Sequence, residues 1–429
     1  MINLNRKHFL SVLIIFATVT FASLTSCAKT DSDISSAKIN SNGDLIVTFS
    51  DGSAKNLGAI SLDKNTSVIL ESGAYDISVA SNIGLTSAVS ITAKFTKTEK
   101  KISGIFPGYK KSDYSTAGSG VIYKLDSQNG DAFIMTNYHV IHDSASDSGI
   151  SQDISVFLYG RENEKYAITA SYVGGSPNYD IAVLRIVRAP ALQDSVYTQA
   201  RIAEFDSATA GEPAIAIGNP EGGGISVSSG IVSVPSEYIT VPSSDRKSSI
   251  TQRVIRVDTA VNSGNSGGGL YNGSGQLIGI VNAKIVDDEV ENIGYAIPIE
   301  IAVRAADNII DNCYQKDCSS LMRASLGVSL SVSENRAAIN TDTGFITLIE
   351  KVTISDVDNG GVAYGLLSVG DELISAKLGE EVISISKRYK LIDLMLKARP
   401  DDVISLTIER NSKIQTVEIK ISENAFMAF

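Results

Sequence analysis

The sequence predicts a mainly β protein, an all-β barrel or sandwich followed by a second β-rich unit, and three observations predict it. Between Tyr75 and Pro298 short apolar runs recur between turn signals, among them AVSITAKF, GSGVIYKL, ISVFLYG, DIAVLRI, VIRVDTAV and QLIGIVNAKIV. Nearly all have strand length and no sustained helical period joins them, which is the pattern of sandwiches and barrels and not of a βαβ sheet. The 35 glycines and 16 tyrosines, with abundant Val, Ile, Ser and Thr, favour strands and tight turns. At 429 residues, with 43% hydrophobic and 20% charged, the chain exceeds one ordinary core and has the apolar surface to build two or three domains.

Residues 1–26 stand outside the fold. Arg6 and Lys7 give a positive start, Phe9 to Leu24 form an apolar run of 16 residues, and LTSC ends at Cys27. The run is short of the ~20 residues that span a bilayer, so it reads as an export signal in preference to an uncleaved membrane helix. The segment resembles the lipobox of bacterial lipoproteins, which implies that Cys27 is diacylated and becomes the new N-terminus. Two or more acyl chains suffice for stable attachment, so an extracytoplasmic, membrane-anchored protein is expected. Removing the signal takes away two cations and no acid, moving the formal charge from −11 to −13. Such a surface repels phosphate backbones and excludes nucleic acid as a partner.

The mature chain divides in order. Residues 27–73 form a polar tether and a small β-hairpin stalk, because Asn42-Gly43 and Asp51-Gly52 flank the alternating run Leu45 to Phe49 and predict a meander near residues 37–62. Residues 74–312 hold the main β unit, closed by a helix in which Ile299, Ile301, Ala302, Ala305, Ile309 and Ile310 recur at helical spacing. Residues 313–322 form a linker in which Cys313 and Cys318 could close a small disulfide loop outside the cytoplasm or remain two free thiols. Residues 323–425 form the second β-rich unit, with one helix in RYKLIDLMLKARP that stops before Pro400. The final ENAFMAF reads as a frayed terminus in preference to a peptide ligand held in cis or trans. No CxxC or HExxH is present, and too few histidines remain to build a metal site.

The chemistry concentrates in DTAVNSGNSGGGL, Asp258 to Leu270. Taken alone, Ser266 is one hydroxyl in a Gly-rich turn. A serine nucleophile needs a base within hydrogen-bond reach, and the base needs an orienting acceptor. With His8 in the signal segment, only His139 and His142 remain, both in MTNYHVIHDS. His139 follows an apolar run at a strand end, whereas His142 beside Asp143 reads as solvent-facing or a local cap. Asp180, immediately before the apolar run Ile181 to Leu184, is placed to be buried as the acceptor. His139, Asp180 and Ser266 together outweigh the turn, structural-histidine and surface-acid readings that each would carry alone.

TNYHVI, NYDIAVLRI, AIGNPEGGGISVSSGIVS, DTAVNSGNSGGGL, QLIGIVNAK and IGYAIPI resemble, in order and spacing, the successive motifs of the HtrA/DegP/DegS family of trypsin-fold serine proteases. The resemblance implies two six-stranded β-barrels with the catalytic residues in the cleft between them. His139 would be the general base, Asp180 its orienter and Ser266 the nucleophile. Gly264, Asn265 and Ser266 would form the oxyanion loop, with the Gly264 and Ser266 N–H groups as donors and Asn265 holding the turn. Ser263 and Gly269 stand where many relatives have proline, a departure that loosens the loop. Ala260 and Val261 would line the primary specificity pocket and, lacking an acid, favour small or medium aliphatic residues. The acidic segment Lys284 to Asn292 would flank that pocket.

RASLGVSL, GLLSVGDELI and the helix near 388–399 resemble a PDZ domain, which implies that Leu326, Gly327, Val328 and Leu330 receive the C-terminus of a hydrophobic peptide. The whole then reads as a cell-envelope serine endopeptidase acting on unfolded or exposed protein segments, as a homotrimer, with no cofactor or metal. The competing reading is a peptide-binding or adhesion lipoprotein whose protease fold is dormant.

Overall fold

The computed structural model describes residues 34–39, 44–49, 53–59, 76–103, 106–283, 293–314, 320–339 and 346–429. The N-terminal strands β1 (Ile34–Ile39), β2 (Asp44–Phe49) and β3 (Ala54–Ala59) pair antiparallel in sequence order, the meander that the alternating run predicts. The signal segment, Cys27 and both turn dipeptides lie outside the described residues.

A helix follows where only strands were expected: α1 (Ile77–Leu85), capped by Asp76, whose carboxylate accepts the Ser78 and Val79 N–H groups. Its nine residues are too few for a helical period to stand out. It is retained by its fit, because a Cβ on Gly84 would lie 2.5 Å from Ile217 Cδ1.

Two closed six-stranded barrels come next. The first joins β4 (Ala88–Ser103), β5 (Phe106–Asp126), β6 (Asp131–Thr136), β7 (Asp153–Leu158), β8 (Ile168–Ser176) and β9 (Ile181–Ile186) in the order β4-β5-β6-β9-β8-β7, with the one-turn helix α2 (Tyr138–Ile141) after β6. The second joins β10 (Pro213–Gly218), β11 (Ser226–Pro242), β12 (Ser249–Val257), β13 (Gly269–Tyr271), β14 (Leu277–Val281) and β15 (Gly294–Pro298) in the order β10-β11-β12-β15-β14-β13. The expected pair of barrels is therefore what the chain forms.

Strand β9 shows why its sequence is apolar without a break from Ile181 to Leu184. Ala182, Leu184 and Ile186 face the first barrel's interior, while Ile181 and Val183 join the cluster that fills the seam between the barrels. A strand buried on both faces reads as a continuous run, not an alternation.

Helix α3 (Ile299–Cys313) packs Ile301, Ala302, Ala305 and Ile309 into that same seam cluster. Its opposite side is buried too: Arg304 pairs with Glu381 and the Asn308 amide donates to Leu396 O of the C-terminal unit, while Glu300 accepts from Arg253 of the second barrel, which also binds Asp393 of that unit. That unit contains β16 (Met322–Ala324), β17 (Val328–Ile339), β18 (Ile346–Val357), β19 (Glu372–Leu378), β20 (Glu381–Ser384), α4 (Arg388–Leu394), β21 (Val403–Arg410), β22 (Lys413–Lys420) and β23 (Phe426–Ala428). Its main sheet runs β17-β18-β19-β21-β22 around a separate core.

The tail does not fray. Strand β23 pairs with β16, the Phe429 N–H donates to Leu321 O at 2.8 Å, and the Arg323 guanidinium lies 3.8 Å above the Phe429 ring. Backbone pairing and a cation–π contact hold it, neither of which hydrophobicity alone reveals.

Candidate active site

Asp180 opens the site. It sits one residue before β9 at φ +53°, a left-handed conformation that a non-glycine residue adopts only when its surroundings impose it. Its backbone carbonyl accepts the Tyr138 N–H at 3.2 Å and the Asn137 amide at 2.9 Å, which ties it to the strand end carrying His139. Its carboxylate takes the His139 N–H on one oxygen (3.0 Å) and meets His139 Nδ1 with the other (2.7 Å). The side chain of Asn282 donates to that second oxygen at 2.9 Å, and Ser244 also bonds the carboxylate. Burial alone would raise the Asp180 carboxyl, but the His139 charge and these hydrogen bonds outweigh it and hold the group below the ordinary carboxylate range. Asp180 is thus an anion with four donors, and with Nδ1 engaged His139 keeps Nε2 for other work.

Ser266 is reached from the same strand end. The Ala283 N–H, one residue after Asn282, donates to Ser266 Oγ at 3.2 Å. Among the described residues the hydroxyl makes this bond and none to the His139 ring, a spacing common in ligand-free hydrolase sites, where catalytic bonds tighten on substrate binding. The first barrel also meets the loop directly: a Cβ on Gly267 would lie 2.3 Å from Thr136 Oγ1 and 3.0 Å from Asn137 N. His139, Asp180 and Ser266 are therefore gathered at one junction between the barrels. The His142 ring lies 4.9 Å from that of Tyr138, and Asp180 bonds His139 instead.

The loop before Ser266 is a tight turn, with Asn265 N–H donating to Asn262 O at 3.0 Å and Gly264 at φ +96°. Asn265 holds the turn through its backbone, its carbonyl also accepting the Gly268 N–H, whereas its buried Oδ1 has no partner. Among the described residues neither the Gly264 nor the Ser266 N–H donates to a protein acceptor. Ala260 is exposed on the flank of this loop, and its carbonyl accepts the Ser228 hydroxyl at 2.9 Å. Val261 is half-buried so closely against Gly294 that a Cβ there would come within 2.6 Å of Val261 Cγ2. The acidic segment 284–292 lies outside the described residues.

In the C-terminal unit Gly327 adopts φ +73° with its N–H bonded to Ser325 Oγ. Leu326, Val328 and Leu330 line a cavity of about 530 Å³ whose opposite wall is Tyr238, Gln252 and Arg253 of the second barrel. Phe429 lines part of it, so the groove that the sequence assigned to peptide binding is a partly open cleft shared with the second barrel. Gly327 is not among the cavity's lining residues. Cys313, at the end of α3, is disulfide-bonded, which favours the first of the two readings of the cysteines; Cys318 lies outside the described residues.

Sequence reasoning missed Asn282, Ser244 and Ser119. Asn282 was readable only as the end of an apolar strand, and Ser244 sits in the turn of a hairpin whose reach across the barrels no local pattern encodes.

Residues 118–280, from β5 of the first barrel to β14 of the second, match the trypsin-like peptidase domain model. The chain is 33% identical over 341 residues to the serine protease Do-like HtrA of Lactococcus lactis subsp. lactis, covering 75% of this chain and 76% of that relative. The Lactococcus lactis subsp. cremoris protein of the same name is 32% identical over 72% of both chains. Serine endoprotease DegS of Escherichia coli is 28% identical over 72% of this chain and 77% of its own. A likeness that spans three quarters of the chain, on barrels that gather an acid, an imidazole and a serine at one junction, places it in the HtrA-type serine protease family, and the protein is a serine endopeptidase.

Proposed function

We propose that Ser266 attacks the scissile carbonyl of a protein substrate while His139 Nε2 removes the hydroxyl proton and later delivers it to the leaving amine. Asp180 stays ionised, fixes the ring by its bond to Nδ1 and stabilises the imidazolium. The Gly264 and Ser266 N–H groups, both without a protein acceptor among the described residues, receive the developing oxyanion. The single observation that carries this reading is the junction itself: Asp180 binds His139 and Asn282, and the next residue, Ala283, binds Ser266.

Val261, with Ala260 at its edge, limits the specificity pocket to small or medium aliphatic side chains. The C-terminal unit is a PDZ domain whose groove, lined by Leu326, Val328 and Leu330, accepts the C-terminus of a hydrophobic peptide. Family resemblance supplies the rest: a homotrimer, held extracytoplasmically at the cell envelope by a lipid on Cys27, that cleaves unfolded or exposed segments.

The full chain in detergent, incubated with an unfolded protein with and without a hydrophobic C-terminal peptide, tests both parts. Ser266→Ala abolishes cleavage and leaves peptide affinity unchanged, and the peptide raises wild-type turnover. Cleavage that survives in Ser266→Ala rules out the serine assignment, and turnover indifferent to a bound peptide rules out the control role of the PDZ unit.

A further inference from the structure

Ser119 lies in β5 of the first barrel, fully buried, yet three of its four hydrogen bonds reach the second barrel. Its N–H donates to Ser266 O at 2.8 Å, and its hydroxyl donates to Gly264 O at 2.7 Å. The same hydroxyl accepts the Asn219 N–H at 2.7 Å, and the Ser119 carbonyl accepts Thr136 Oγ1 at 2.7 Å. Every hydrogen-bonding group of this one residue is used.

The placement of these bonds along the loop matters more than their number. Gly264 O belongs to the peptide before Asn265, and Ser266 O to the peptide after Ser266. Ser119 thus pins the peptide units on either side of the Asn265–Ser266 amide, the unit that carries the Ser266 N–H and leads into its side chain. A peptide plane held at both neighbours cannot rotate without breaking a buried bond, and an unmade buried bond is costly. Space enforces the same contact: a Cβ on Gly218 would lie 2.9 Å from Ser119 Oγ, and one on Gly267 would lie 2.2 Å from Ser119 O.

We propose that Ser119 is a positioning residue of the hydrolytic reaction, which fixes the oxyanion loop of the second barrel from the first and so aims the Ser266 N–H and hydroxyl. The proposal rests on the roles given above to Gly264 and Ser266. It also explains how a loop carrying Ser263 and Gly269 in place of prolines keeps its shape: rigidity absent from the local chain comes from the opposite barrel. Opening the cleft by even a small inter-barrel shift would release both bonds together, so loop geometry and barrel docking are one variable.

The test uses the full-length protein with Ser119→Ala, Ser266→Ala and Ser87→Ala. Ser87 is a buried serine bonded to Gly84 O at 3.0 Å and to Tyr271 OH at 2.9 Å, with no hydrogen bond to residues 258–268 among the described residues, and it serves as a match for loss of a buried hydroxyl. Ser119→Ala is expected to lower kcat about ten- to hundredfold, less than removal of a whole oxyanion donor, with KM for a peptide substrate unchanged. Affinity for a peptide boronic acid, whose adduct on Ser266 places an oxygen in the oxyanion site, falls in parallel, while affinity for the product peptide does not. Ser87→Ala lowers the melting temperature but keeps wild-type kcat. Where Ser119→Ala does not accumulate folded, Ser119→Cys, which retains a weak donor, is read by the same ratio and gives an intermediate kcat. Wild-type kcat in the Ser119 variant, or a loss no greater than that of Ser87→Ala, overturns the proposal. Cleavage by Ser266→Ala would instead overturn the nucleophile assignment, so the two failures are distinguishable.

Discussion

Gly264 and Ser263 show how one side chain sets the readiness of the loop. The bond from Asn265 N–H to Asn262 O, with φ +96° at Gly264, describes a turn whose third residue must be glycine and whose second, Ser263, is the place where proline fits best. Ser263 is exposed, and its N–H makes no backbone bond among the described residues, so proline there removes no bond. Ser263→Pro is expected to stabilise the turn by about 0.4–1 kcal/mol through the entropy of the open chain. If that appears wholly in the barrier, basal turnover rises about two- to fivefold. Peptidase assays without added C-terminal peptide measure it, and unchanged turnover would show that the loop is already fully ordered by its buried contacts.

At the scale of an element, the hairpin β11–β12 does more than close a barrel. Its tip reaches the first barrel, where Ser244 N–H donates to Pro177 O at 2.9 Å and the Ser244 side chain bonds Asp180. Its stem carries Gln252, whose amide donates to Tyr179 O at 3.1 Å, and the wall of the cavity shared with the C-terminal unit. One element therefore touches both Asp180 and the cavity lined by Leu326, Val328 and Leu330. Ser244→Ala removes one of several donors to a buried carboxylate and should lower kcat about three- to tenfold with KM unchanged; full kcat would mean that the remaining donors hold Asp180 unaided. This hairpin also marks the limit of sequence reading. Strand-length runs marked a barrel or sandwich, the resemblance to HtrA proteases implied the pair of barrels, and the scarcity of histidines narrowed the base to His139 or His142, because periodicity and residue counts are local properties. The donors from Ser244, Asn282 and Ser119 were not legible, since each depends on a loop or strand meeting another barrel. Helix α1 escaped for a related reason: its Asp76 cap and the fit of Gly84 against Ile217 are tertiary facts.

For the whole molecule, the decisive contact is a buried charge cluster that joins the second barrel, α3 and the C-terminal unit. Arg253 of β12 binds Glu300 at 2.5 Å and Asp393 of α4 at 2.6 Å, with the Tyr389 ring 4.0 Å beneath its guanidinium. Lys390 reaches Asp206 at 3.3 Å, and Arg304 pairs with Glu381. Three acids crowd Arg253, and their titration differs. Burial pushes Glu300 up, only partly countered by Arg253 and reinforced by Asp206 and Asp393. Burial likewise raises Asp393 against the pull of Arg253 and Arg304. Asp206, although burial opposes it, is held below the usual range by Lys390 and Arg253. Glu300 and Asp393 therefore keep protons in the native state at pH values where the unfolded chain, with carboxyl pKa near 4, has lost them. Linkage makes the free energy of unfolding fall as pH rises through that window, whereas the contribution of Asp206 is constant above about pH 4 and is lost only below it. Docking of the C-terminal unit should thus be firmer at mildly acid pH, just above the ordinary carboxyl range, than at neutral pH, read as slower limited proteolysis between α3 and β17 and a higher melting temperature. Glu300→Gln, neutral at both pH values, should flatten that slope while preserving a partner for Arg253. Equal slopes in wild type and Glu300→Gln would place the pH response elsewhere and leave the cluster a fixed joint. A flattened slope would make the joint between protease and C-terminal unit sensitive to acidity, and with it the cavity that Arg253 and Leu326 share.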